Sequence, residues 1–207
     1  SHSNLIAKEG SGIVLMYHRF DDNKYPSTSI SKENFYSQLL YLKENNFHVL
    51  PITKLIDFFY NRKPLPSKSI FITIDDAYKS FYNHALPILK EFDYPFSIFL
   101  STGFVHENKK SDFMNWAMLK EIKKNKGYIL NHSHKHDSFV KQNLNEIKKD
   151  ILIANKMLEE NLGEIEKIIS YPYGESNESV QELIKQLGYK LGFSQHSSPI
   201  NFNENKF

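Results

Sequence analysis

Cysteine is absent from the 207 residues. Disulfides, thiolate nucleophiles and cysteine-ligated zinc sites are therefore excluded. An excess of one charge is also missing: 26 Lys and Arg stand against 24 Asp and Glu, a formal net charge of +2. Nucleic acid would call for a basic surface that this balance does not supply, so no nucleic-acid partner is expected. No apolar run approaches the roughly 20 residues of a membrane span, and the opening residues do not read as a signal peptide. The chain opens on a polar lead, SHSNLIAKEGSG, which reads as a trimmed start or as a mature form after processing. His2 is given no function. Residues 1–11 are expected to be a flexible lead or tag remnant, and residues 12–207 a single domain. Internal repeats, low-complexity tracts and linkers are missing too; the Pro-containing stretch NRKPLPSK (61–68) reads as a loop inside that domain.

What the chain does have is apolar and aromatic. Hydrophobic residues make up 40% and aromatic residues 14%, with 16 Phe and 12 Tyr. That composition belongs to a folded globular protein, and the length suits one sizeable core. Most of the rings belong in that core, while tyrosines beside a cleft also suit the faces of sugars.

Strand-like and helix-like segments alternate along the chain. The expected strands are 12–18, 47–50, 69–75, 96–101, 128–133, 168–170 and 189–194. Between them, helical spacing of apolar residues predicts helices over 31–46, 53–63, 80–92, 115–125, 143–163 and 177–188. Ser31 and Thr53 are the expected N-caps, Pro87 an expected kink, and Gly163 an expected stop. Seven strands, most too apolar for a half-exposed sheet, imply an α/β fold with a parallel sheet. The sheet is either open and doubly wound or a barrel short of one unit. In both, function gathers at the C-terminal strand ends.

Those ends carry acids and imidazoles. The first ends at Tyr17-His18, the third at Asp75-Asp76, the fifth in NHSHKH (131–136), and the seventh leads into Ser194-Gln195-His196. The sixth leads into YPYG (171–174). One Asp with two His is a ligand set for a divalent metal. Asp76 could ligate, while Asp75 takes a proton from water acidified by the ion. The plainer reading of the two acids is a surface turn or a helix N-terminus. Within HSHKH, an extended strand would put His132 and His136 about 13 Å apart at ~3.3 Å per residue and pair His132 with His134. A helical turn would pair His132 with His136 instead. His18 is a candidate substrate contact or an ordinary strand-end residue. His48, His84 and His106 are expected to have no catalytic role, and Trp116 is expected to cap the barrel.

These motifs carry a resemblance. ITIDDAY (72–78) resembles the Thr-Phe-Asp-Asp motif of metal-dependent polysaccharide deacetylases of carbohydrate esterase family four. His132 to His136 matches that family's His-Ser/Thr-x-x-x-His zinc motif, SYPYG (170–174) is similar to its Arg-x-Pro-Tyr-Gly motif, and LMYHRF (15–20) to its opening strand. NWAMLKEI (115–122) is similar to the Trp-led helix before the zinc histidines. The likeness runs from about Val14 to Gln195 and leans towards the branch of biofilm poly-N-acetylglucosamine deacetylases. It implies a distorted (β/α)7 barrel, an incomplete TIM-like barrel. It implies one divalent ion, usually Zn2+, held by Asp76, His132 and His136, with Asp75 as general base. It implies removal of N-acetyl groups from a glycan, with the Tyr173 backbone N–H at the oxyanion and Pro172 counted with it among the substrate or oxyanion residues.

Two departures stand out. Ser170 replaces the motif's Arg, and the family's late Leu-x-His motif is not evident. His196 is the candidate general acid in its place, or else a loop histidine on the rim; a C-terminus shortened by an eighth strand is a further alternative. Two competing functions follow: a catalytically impaired glycan-binding domain of the same fold, and a related O-acetyl esterase or amidase. The resemblance and the processed-looking start favour the periplasm or the cell surface.

Overall fold

The computed structural model describes residues 12–194, 199–200 and 206–207. Ten strands are present among them: β1 (Gly12–Tyr17), β2 (Arg19–Phe20), β3 (Ser29–Ile30), β4 (His48–Val49), β5 (Ser69–Asp75), β6 (Phe96–Leu100), β7 (Gly127–Asn131), β8 (Ile168–Ser170), β9 (Leu191–Phe193) and β10 (Pro199–Ile200). The α-helices are α1 (Lys32–Glu44), α2 (Thr53–Asn61), α3 (Leu86–Phe92), α4 (Trp116–Lys124), α5 (Leu144–Leu162) and α6 (Glu178–Gln186).

The main sheet follows the order β10-β1-β5-β6-β7-β8-β9, with β4 also paired to β5. Strands β1 and β4 to β9 run parallel, and only β10 is antiparallel, against β1. These parallel strands are the seven expected from the sequence. Every residue of β5, β6 and β8 is buried, as a sheet covered on both faces requires. The sheet curls into a distorted (β/α)7 barrel. Because the strands are parallel, Tyr17, Asp75, Leu100, Asn131, Ser170 and Phe193 all end at one rim. Strands β2 and β3 form a separate parallel pair, in the segment that leaves the end of β1.

Local chemistry sets the helix ends. Ser31 caps α1, its side chain accepting from the Asn34 N–H at 3.1 Å. Asn115, Asn143 and Asn177 cap α4, α5 and α6 in the same way. Gly163 ends α5 at φ 81°, a conformation that side chains resist. Thr53 does not cap α2: it lies inside the helix, and Ile52 at the cap makes no side-chain bond. The Pro87 kink takes a specific form. A wide turn over Phe81–Ala85 precedes α3, with the Leu86 N–H bonded five residues back to the Phe81 carbonyl. The wider turn relieves the clash and the missing N–H that proline brings to a helix.

One apolar core joins β1, β5 and β6 to α1, α2, α3 and α4. A second lies between β8, α5 and α6, around Ile147, Ile151, Ile169 and Tyr171. Trp116, the first residue of α4, is partly buried and packs against the first core. No helix among the described residues is long and apolar enough to cross a membrane.

Candidate metal and catalytic centre

Asp75 is the last residue of β5 and is 1% exposed. Successive strand residues would face opposite ways, yet Asp76 escapes that rule. Its φ is 67°, so the chain turns at the strand end and brings the second carboxylate to the same rim. Its N–H stays on the sheet, bonded to the Phe99 carbonyl at 3.0 Å. Asp76 is buried as well, so the pair is no solvated surface turn.

His132 follows β7 directly and is fully buried. Its N–H bonds the Leu100 carbonyl at 3.0 Å, and its own carbonyl accepts from Ser101 Oγ at 2.8 Å. Its Nδ1 lies 2.9 Å from the Ser170 carbonyl. A carbonyl only accepts, so Nδ1 carries the hydrogen and Nε2 keeps its lone pair. That lone pair faces Asp76 Oδ1 at 3.7 Å, and His136 Nε2 faces the same oxygen at 3.3 Å.

The five-residue loop chooses between the two histidine pairings. Ser133 and His136 both adopt positive φ, 72° and 60°. The result is neither a strand nor a helical turn, and it places the His132 and His136 rings edge to face at 4.8 Å. His134 points elsewhere, its Nδ1 2.9 Å from Thr102 Oγ1. The loop is held from outside. Asp150, buried on α5, accepts the His134 N–H at 2.8 Å and the Lys135 N–H at 3.1 Å. Asn131 Oδ1 accepts the Ser133 N–H, and Ser133 Oγ accepts the His136 N–H.

The donors fit a cation. Asp76 Oδ1, His132 Nε2 and His136 Nε2 are buried without a hydrogen-bond partner. One ligand atom from each residue lies within 4.8 Å of the others. Burial pushes both imidazoles below their ordinary pKa, His136 also through its neighbour His132, while Asp76 pulls each back up. Neutral imidazoles and a carboxylate, all with lone pairs turned inward, are the donor set of a divalent metal. Such atoms left facing one another would be costly without an ion between them.

The other expected residues fall around this cluster. His18 Nε2 lies 3.7 Å from Asp75 Oδ2, so the first strand end does reach the mouth. Tyr173 sits at φ 60°, ψ 10°, mostly exposed, with its ring 4.8 Å from that of His136. Pro172 is buried at the start of that short turn. Ser170, in the place of the motif's Arg, contributes its carbonyl to His132. His196 lies outside the described residues. Asp150 was missed in the sequence, although a signal was there: it is a lone acid in the apolar stripe Ile147, Ile151, Ala154 of α5.

A family model described as polysaccharide deacetylase matches residues 62–192, more than half of the chain. The chain belongs to the polysaccharide deacetylase family. A poly-beta-1,6-N-acetyl-D-glucosamine N-deacetylase of Staphylococcus aureus (strain MSSA476) is 30% identical over 154 residues, which is 66% of this chain and 52% of that protein. The chain thus spans about half the length of the Staphylococcus aureus relatives it matches. A protein of the same name from Escherichia coli (strain K12) is 29% identical over 85 residues, 40% of this chain and 13% of the relative. Among solved structures, IcaB from Ammonifex degensii superposes with a TM-score of 0.82 at 26% identity, covering 90% of this chain and 84% of that one. The Streptococcus pyogenes deacetylase PplD, in complex with acetate, gives a TM-score of 0.84 at 22% identity, over 94% and 87% of the two chains. At that identity the second likeness speaks for the fold alone. Membership of the family matches what the motifs implied.

Proposed function

We propose that this polysaccharide deacetylase hydrolyses the N-acetyl groups of a β-1,6-linked N-acetylglucosamine polymer, with zinc as its ion, at the cell surface or in the periplasm. The observation that carries the reading is the convergence of an inward-facing Asp76, His132 and His136 beside a separate buried carboxylate, Asp75. The linkage is suggested by the names of the relatives from Staphylococcus aureus and Escherichia coli.

Asp76, His132 and His136 would hold the ion, which supplies Lewis acidity towards the acetyl carbonyl and lowers the pKa of water to about 7. Asp75, which belongs to no ligand set, takes the proton of the attacking water. A C–O bond forms at the acetyl carbon and the amide C–N bond breaks. The amine then leaves with a proton; His196, the expected acid, lies outside the described residues, and the candidate among the described ones is His18. It lies 3.7 Å from Asp75, so both ends of the proton's path sit on neighbouring strand ends. The backbone N–H of Tyr173 serves the developing oxyanion. Its left-handed φ of 60° turns this stretch of backbone sharply, and a strained non-glycine residue at a site is a mark of function. Products are acetate and a glucosamine unit of the polymer.

The loss of the motif's Arg does not favour a glycan-binding relic. Asp75 is retained, and His18 now faces it. The test is acetate release from short β-1,6-linked N-acetylglucosamine oligomers, with zinc and with chelator. Zinc-dependent release supports the proposal. Protein shown to hold one zinc per chain that releases no acetate would overturn it.

A further inference from the structure

The rim of the mouth carries an exposed ring with an unusual support. Tyr25 is 48% exposed, on the segment between β2 and β3. The guanidinium of Arg19 lies 3.6 Å from the centre of its ring and 4.1 Å from the centre of the Tyr78 ring. Arg19 is thus sandwiched between two aromatic faces. It cannot swing, because Nη2 donates to Tyr78 Oη at 2.7 Å and Nη1 to Thr28 Oγ1 at 3.1 Å. Tyr78 is fixed in turn, stacked on Phe113 with 5.2 Å between ring centres.

The segment itself is tied down. The Asp21 N–H bonds the Ile30 carbonyl at 2.9 Å, and the Asp22 N–H bonds Ser29 Oγ at 3.0 Å. Phe20 N–H donates to Ser80 Oγ at 3.1 Å, joining it to the turn that leaves Asp75 and Asp76. The exposed tyrosine is therefore rigid with respect to the reacting groups. Arg19 directly follows His18, and Tyr78 comes two residues after Asp76. Of the other exposed tyrosines among the described residues, Tyr41 and Tyr60 stand on α1 and α2, and Tyr173 lies in the turn after β8, its ring against His136.

An aromatic face held stiffly in water from one side by a cation is suited to a partner on its other side. The proposed substrate offers one. A hexosamine ring has an apolar face of C–H bonds, and in a polymer further rings flank the one that reacts. We propose that Tyr25, held by Arg19, is a stacking platform for a hexosamine ring of the polymer beyond the one that loses its acetyl group. The site makes the enzyme prefer chains over short fragments. This builds on the deacetylase reading and adds a specificity residue to it.

The test is kcat/KM for acetate release from β-1,6-linked N-acetylglucosamine oligomers of increasing length, for zinc-loaded wild type, Tyr25→Ala and Tyr25→Phe. In wild type, kcat/KM should rise with length. Tyr25→Ala should flatten that rise by roughly fivefold on the longest oligomer, within the range of one aromatic contact. The loss should fall in KM, and Tyr25→Phe should restore it. A Tyr25→Ala profile parallel to that of wild type, whether equal or lowered by one factor at every length, would overturn the platform. Release by wild type with no length dependence would also overturn it while sparing the deacetylase reading. No release by wild type from any oligomer would overturn both.

Discussion

Replacing Asp150 by Asn should loosen the metal site from a position that touches no ligand side chain. The carboxylate is buried and accepts two backbone N–H groups, from His134 and Lys135, at 2.8 and 3.1 Å. Those N–H groups lie in the short loop between the proposed ligands His132 and His136, and the loop is strained, with φ of 72° at Ser133 and 60° at His136. Asn keeps the shape but has one acceptor oxygen, so one of the two bonds is lost and an amide NH2 faces an N–H. A hydrogen bond to a charged group contributes about 1.5–3 kcal/mol, and the variant should lose about that much stability. The loop also positions His136, so metal affinity should fall by roughly 10- to 100-fold, as it does when the outer support of a ligand is removed. Urea unfolding of the metal-free protein gives the first quantity, and a zinc titration against a competing chelator gives the second. A stable variant with wild-type zinc affinity would refute the reasoning. Lost stability with unchanged affinity would show that Asn131 and Ser133 hold His136 without help.

Other outcomes follow from the same geometry. His136→Ala should bind little zinc while His134→Ala binds one equivalent, since His134 turns to Thr102; metal analysis after dialysis separates them, and the reverse result would reassign the ligand. His18→Gln should keep its zinc yet lose most of kcat; a wild-type kcat would remove His18 from the proton path. The metal-free protein should lose stability in mild acid. His132 and His136 are held below their ordinary pKa of 6.5, mainly by burial, so below that pH the unfolded chain binds protons that the folded chain refuses. Stability is then greatest above pH 6.5 and falls as pH drops below it, by at most ~1.4 kcal/mol per pH unit for each histidine. Urea midpoints that stay level from pH 7.5 to 5.5 would contradict this.

Much of the architecture was legible because parallel strands buried on both faces leave continuous apolar runs, as in SIFITID and FSIFL. The caps at Ser31 and Gly163 were legible for the same local reason: a hydroxyl one residue ahead of a helix and a glycine one residue past it. Thr53 has the right chemistry in the wrong place, since the backbone of Ile52 already turns in helical fashion at φ −60°. At the site, the identities of the groups were visible and their directions were not. Whether His134 or His136 joins His132 depends on left-handed backbone at Ser133 and His136, which no strand or helix periodicity encodes. The brace on that loop comes from Asp150, on a helix that begins only after the loop has ended, and local spacing does not reveal so distant a partner. His18 was open between two readings until β1 was seen paired to β5, which sets Tyr17 beside Ile74 and brings His18 to Asp75.

The most direct test of the account is Asp75→Asn, measured for zinc content and for acetate release from β-1,6-linked N-acetylglucosamine oligomers on the same sample. The account predicts one zinc per chain, as in wild type, with turnover abolished, because Asp75 moves a proton and Asp76, His132 and His136 hold the ion. Wild-type turnover by Asp75→Asn, or loss of its zinc, would contradict that division of labour.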